Sequence, residues 1–108
     1  MIKGKKYELY IGLKDKNTYE EVFTTEEFVK VLSEYCSEKQ TGFSMTTQLG
    51  GYSHNMGYVT ETSLRITLFG VEEDKVRELG EKLKKLVNTD TIMITSEDCE
   101  YGFEWITH

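Results

Sequence analysis

Between residues 7 and 13 the chain alternates with period two. Tyr7, Leu9, Ile11 and Leu13 fall on one side, and Glu8, Tyr10 and Gly12 on the other. The spacing predicts a strand with one buried face and one chemically open face. After a polar loop, Thr24-Thr-Glu-Glu27 places Thr and Glu three apart, as in a capping box, with Phe23 and Phe28 positioned for a hydrophobic staple. Phe28, Val31, Leu32, Tyr35 and Cys36 then recur at helical spacing as one apolar stripe. This helix is expected to end near Lys39, with Gly42 as its stop.

A second strand follows, in which Phe43, Met45 and Thr47 alternate with Ser44, Thr46 and Gln48. The third runs from about Tyr58 to Phe69, with Leu64, Ile66 and Leu68 inward and Glu61, Ser63, Arg65 and Thr67 outward. A second helix has an acidic start, Glu72-Glu-Asp74, and a basic end at Lys82, Lys84 and Lys85, both suited to the helix dipole. Val76, Leu79, Gly80, Leu83, Leu86 and Val87 form its stripe, and Gly80 implies a close approach of helix to sheet. Thr91-Ile-Met-Ile-Thr95 reads as a fourth strand.

The order βαββαβ predicts a ferredoxin-like α+β sandwich over residues 1–108, with a four-stranded antiparallel sheet and two helices on one face. The tail alternates once more, Cys99, Tyr101, Phe103 and Trp105 against Asp98, Glu100, Gly102 and Glu104. It is expected either as a fifth strand over 99–106 or as an extension of the fourth past a bulge at Ser96–Asp98. Its apolar side either covers the domain's own core or joins a second subunit.

Composition narrows the classes. With 108 residues and 38% hydrophobic content, one core is expected. A net charge of −6 argues against nucleic acid and anionic membranes as partners. The basic start runs into Tyr7 without an apolar core segment, so neither a signal peptide nor a membrane span is expected. Cys36 and Cys99 fit no redox or zinc spacing and read as reduced thiols in a bacterial host cytosol, so the expected location is cytoplasmic.

The candidate chemistry gathers at Gln48-Leu-Gly-Gly-Tyr-Ser-His-Asn-Met-Gly-Tyr58, read as a flexible β2–β3 loop of about nine residues, longer than most hairpin connections. Its glycines match neither a dinucleotide nor a phosphate-loop signature. Tyr52 and Tyr58 either stack on a base or cover the loop. His54 shows no nucleophile or orienting partner, and His108 is terminal, so neither a catalytic centre nor a metal site is expected. Arg65, one of two arginines, either pairs with Glu61 or Glu8 or grips a phosphate or carboxylate. The third strand puts Glu and Arg where RNA-recognition modules place aromatic rings.

The sequence Tyr10-Ile-Gly12, then Gly42-Phe43, Gly50-Gly51-Tyr52 and Glu61-Thr-Ser-Leu64 resembles the phage and mobile-element proteins of the Thoeris anti-defence sponge type. It is similar also to a related bacterial domain family of unknown function. The resemblance implies a non-enzymatic homo-oligomer that sequesters cyclic ADP-ribose-type signals in pockets between subunits. It carries over onto Tyr10, Gly51, Tyr52, Glu61 and Ser63. Tyr52 stands where the pattern expects Trp, and arginines are few. The architecture also resembles the PII and CutA-like ferredoxin trimers. The expectation is therefore a binding protein without catalysis or cofactor, taking a small nucleotide-like ligand. In this reading Arg65 meets phosphate, Tyr52 or Tyr10 stacks on a base, and Gln48, Asn55 and Ser63 meet ribose or base edges. An oligomeric protein-interaction module is the alternative.

Overall fold

In the computed structural model the order is β1 (Ile2–Gly12), α1 (Thr25–Lys39), β2 (Phe43–His54), β3 (Gly57–Phe69), α2 (Glu73–Val87) and β4 (Met93–Tyr101). The structure describes residues 1–22, 24–39, 41–55 and 57–102, without the side chains of residues 52, 54 and 59. The strands form one antiparallel sheet in the order β2-β3-β1-β4. This is the expected ferredoxin-like sandwich.

The two periodicities meet in one core. Leu9, Ile11, Leu64, Ile66 and Leu68 from the central strands are fully buried against Phe28 and Leu32 of α1 and Val76, Leu79 and Leu83 of α2. The Thr24 carbonyl accepts the N–H groups of Glu27 and Phe28 at 3.1 and 3.2 Å, opening α1. The Phe23 half of the expected staple lies outside the described residues. Thr41 closes α1 by donating its N–H to the Cys36 carbonyl at 3.0 Å. Asn88 ends α2 in the left-handed conformation, its N–H donating to the Lys84 carbonyl. A methyl on Gly80 would meet Ile92 and Ile94 at 3.6 and 3.7 Å, so α2 does pack closely on β4.

Three expectations change. The segment expected as a long glycine-rich loop is strand: β2 and β3 stay paired from Phe43↔Leu68 to His54↔Gly57. The glycines are there for packing. The Tyr58 ring lies over Gly51, where an added methyl would meet it at 2.6 Å, and Ser63 Oγ would stand 3.3 Å from one on Gly50.

Next, β1 begins at Ile2, well before Tyr7. Its lysines meet acids across the ladder to β4: Lys3–Glu100 at 4.0 Å, Lys5–Asp98 at 2.7 Å and Lys6–Glu97 at 3.7 Å.

Finally, β4 runs without a bulge in one register from Tyr10↔Met93 to Ile2↔Tyr101, so that among the described residues 99–101 extend the fourth strand. Cys99 and Tyr101 do not cover the core. They share the face turned away from the helices, where Tyr101 packs against Phe69 with ring centroids 5.5 Å apart. Phe103 and Trp105 lie outside the described residues. The β2–β3 hairpin and the β1–β4 arm overshoot the helices at opposite ends, which stretches the molecule to 54 × 29 × 27 Å.

Candidate functional site

The register decides which open-face residues become neighbours. Tyr10 lies between Arg65 of β3 and Met93 of β4, and Gly12 lies opposite Ser63. Where β1 leaves the sheet, Leu13 is fully buried and holds a short loop whose backbone closes on itself, Val22 N–H donating to the Leu13 carbonyl at 2.6 Å. The loop leans on the α2–β4 turn through Lys16 N–H to the Asn88 carbonyl at 2.9 Å. Between loop, turn and sheet face lies a cavity of about 600 Å³, within the range of small-ligand sites. Its lining includes Tyr10, Gly12, Lys14, Tyr19, Glu61 and Met93.

Glu61 rests on Gly12: a methyl on that α-carbon would collide with its Oε1 and stand 3.0 Å from its carboxyl carbon. The bare glycine is what lets the half-buried carboxylate lie flat on the sheet at the cavity. Among the described residues neither Glu61 nor Lys14 is recorded in an ion pair or side-chain hydrogen bond. Among the described residues the cavity thus holds an anion and a cation without ion-pair partners. Lys16, by contrast, is held by Asp90 at 2.7 Å.

Tyr10 donates its hydroxyl to Glu8 Oε2. That bond raises the phenol's pKa and, against the opposing effect of burial, holds the Glu8 carboxyl below the usual carboxylate range. Arg65 and Lys6 add to the effect on Glu8, at 3.3 and 3.6 Å from its Oε1. Tyr10 is therefore a neutral phenol whose hydroxyl is already engaged, and it offers the cavity an aromatic ring.

Of the residues singled out in the sequence, the structure brings Tyr10 and Glu61 into this cavity. Arg65 pairs with Glu8 and does not line it, so no hollow beneath a glycine loop surrounds the guanidinium. Ser63 is buried, its hydroxyl donating to the Gln48 carbonyl at 3.4 Å. Gly51 lies under Tyr58, and Asn55 is exposed at the hairpin tip. The side chains of Tyr52 and His54 lie outside the described residues. Lys14, Tyr19 and Met93 escaped the sequence reading. Only Tyr19, an aromatic in a polar loop, carried a signal there. Among the described residues no three His, Cys, Asp or Glu side chains gather as a metal site, and no helix is long and apolar enough to cross a membrane.

No family model and no curated relative matches the chain. Solved structures do. A phage SAM lyase in complex with S-methyl-5'-thioadenosine is 22% identical with a TM-score of 0.66, over 88% of this chain and 81% of that one. The same phage lyase in its apo state gives a TM-score of 0.67 at 21% identity, over 89% of this chain and 81% of that one. The divalent cation tolerance protein CutA from Archaeoglobus fulgidus gives 0.59 at 12% identity, covering 95% and 89% of the two chains. These likenesses show the fold, a ferredoxin-like α+β sandwich. They also correct the expectation of a protein without catalysis. An enzyme shares this fold over most of the chain, so the lack of a familiar nucleophile–base motif does not exclude catalysis.

Proposed function

We propose that this protein binds a sulfonium nucleoside of the S-adenosylmethionine type and cleaves it as a lyase, releasing the methylthio-nucleoside. The observation that carries this reading is the Glu61 carboxylate, uncompensated on Gly12 and sharing a cavity with the Tyr10 ring. A carboxylate beside an aromatic face suits a soft, weakly hydrated cation, and a sulfonium is one. The same ligand carries an amino-acid arm whose carboxylate suits Lys14. A zwitterion with an aromatic base matches a cavity lined by Glu61, Lys14, Tyr10 and Tyr19.

The reaction balances without water or cofactor. The bond between sulfur and the γ-carbon of the amino-acid arm breaks, and its electron pair stays on sulfur, which becomes a neutral thioether. The γ-carbon is satisfied from within the arm, whose own carboxylate oxygen bonds to it and closes a lactone. The protein's part is to hold the arm folded and to exclude water, and orientation of this kind is worth several orders of magnitude in rate.

An anti-defence role, implied by the phage resemblance, then takes the form of destroying a host nucleoside. A homo-oligomer fits the free edges of β2 and β4 and the exposed Leu49 and Tyr58 on the projecting hairpin. Incubation of the purified protein with S-adenosylmethionine, followed by mass spectrometry, tests the reading. Appearance of S-methyl-5'-thioadenosine, abolished in Glu61→Gln, is expected. Intact substrate after long incubation would overturn it.

A further inference from the structure

Residues 13–22 spend much hydrogen bonding on one exposed aromatic side chain. Asp15 Oδ1 accepts the N–H groups of Asn17 and Thr18 at 2.7 and 3.1 Å and the Asn88 side-chain amide at 3.1 Å. Asp15 N–H donates to the Glu20 carbonyl, and Tyr19 N–H donates to the Asp15 carbonyl, both at 2.9 Å. Glu20 N–H finds Thr18 Oγ1 at 3.2 Å. Within this frame Tyr19 is held at φ 59°, the left-handed region, which a bulky residue adopts only where its surroundings enforce it. The residue is 77% exposed and lines the same cavity as Tyr10 and Glu61. Among the described residues no hydrogen bond or ring contact is recorded for the Tyr19 side chain.

Packing does not account for this arrangement, since the ring packs into no core. Loop closure does not account for it either, since Asn or Gly would take the same backbone angle at lower cost. What the frame achieves is to keep a flat apolar surface on the cavity that Glu61 also lines. Thr89 and Thr91 line the wall there and offer hydroxyls.

Resting on the sulfonium-nucleoside reading, we propose that Tyr19 selects the ligand's base. It stacks on the purine ring, and the rigid loop discriminates for nucleosides against sulfonium compounds that lack a base. Glu61 and Lys14 address the ligand's charges, and this ring supplies base recognition that charge cannot.

The test is calorimetric titration with S-methyl-5'-thioadenosine and, separately, with 5-methylthioribose, which lacks the base. Wild type is compared with Tyr19→Phe and Tyr19→Gly, the latter chosen because glycine accepts the backbone angle without disturbing the frame. Tyr19→Phe is expected to bind the nucleoside within about threefold of wild type, since the ring is what stacks. Tyr19→Gly is expected to lose about 5- to 150-fold for the nucleoside and nothing for the ribose compound, with its melting temperature retained. Nucleoside binding by wild type that is unchanged in Tyr19→Gly would overturn the assignment of Tyr19 alone. Equal losses for both ligands would overturn it too, as they would show a general role in shaping the loop. Failure of wild type to bind the nucleoside at all would overturn this inference, whereas S-adenosylmethionine left intact by the wild type would overturn the sulfonium reading.

Discussion

Glu61 lies across the α-carbon of Gly12, so that the carboxylate occupies the place where any other residue would carry its side chain. Substituting Gly12→Ala should therefore displace Glu61 while leaving the strand pairing intact, because the displaced atoms are the far end of a flexible side chain. The expected result is a loss of S-adenosylmethionine binding of tenfold or more, on the order of 1.4 kcal/mol, with less than about 1 kcal/mol of stability lost. Paired calorimetric and denaturant titrations read both.

Tyr35 is buried between the helices and, among the described residues, its hydroxyl has no hydrogen-bond partner. Burial pushes its pKa up to about 12, with nearby acids and Cys36 adding to the shift. A buried, unpaired hydroxyl costs about 1–3 kcal/mol, so Tyr35→Phe should stabilise the fold by roughly 1 kcal/mol in urea unfolding. Spectrophotometric titration of the wild type should show one tyrosine ionising last. Since the folded value is raised, the stability tied to this group is complete below pH 10 and is lost as pH rises toward 12.

Glu8 runs in the opposite direction. Its carboxyl is held below the ordinary value of 4.5 by the Tyr10 hydroxyl first, against burial, and then by Arg65 and Lys6. A lowered folded pKa means that its contribution is present above the unfolded value and disappears as pH falls through the folded one. Glu8→Gln should accordingly flatten the acid limb of the stability–pH profile below about pH 4.5, measured by thermal unfolding. A limb of unchanged slope would show that other carboxylates set it.

Gly80 faces Ile92 and Ile94 across ordinary contact distances, with room for one methyl group. In a helix interior Gly80→Ala should stabilise by about 0.5–1 kcal/mol, visible as a higher urea midpoint. Gly80→Val would overfill the same space and reverse the sign.

Gly70 is the contrasting glycine. It sits at φ 70°, and an added methyl would stand 2.5 Å from the Tyr101 hydroxyl. Gly70→Ala should cost more than about 1 kcal/mol in the same assay, because strain and steric conflict act together.

The layered architecture was legible because it follows from periodicity. Leu9 and Ile11 at spacing two, and Leu79 and Leu83 at spacing four, face inward whatever the rest of the chain does. Tyr10 and Glu61 were legible as open-face residues for the same reason. Misreadings came where a residue's role depends on a neighbour distant in sequence. Gly50 and Gly51 look like a loop until Ser63 and Tyr58 are seen to need their space. The lysines at 3, 5 and 6 look like a solvated start until Glu100, Asp98 and Glu97 are seen opposite them. Arg65 leaves an ion pair with Glu8 or Glu61 and a ligand contact both open until the packed sheet sets it beside Glu8.

What the amino-acid order determines by itself is thus the local part: which stretches are strand or helix, and which face of each is apolar. These depend on chain geometry and on side chains three or four positions apart at most. Tertiary structure alone decided where the cavity lies. It brings the loop at Tyr19, the turn at Thr89, the glycine at 12 and the carboxylate at 61 to one place, although they are scattered along the chain. Hydrophobic burial sets the layers with little regard for polar detail, whereas the balance of charges in a site depends on register and loop closure, which emerge only when the whole chain has packed.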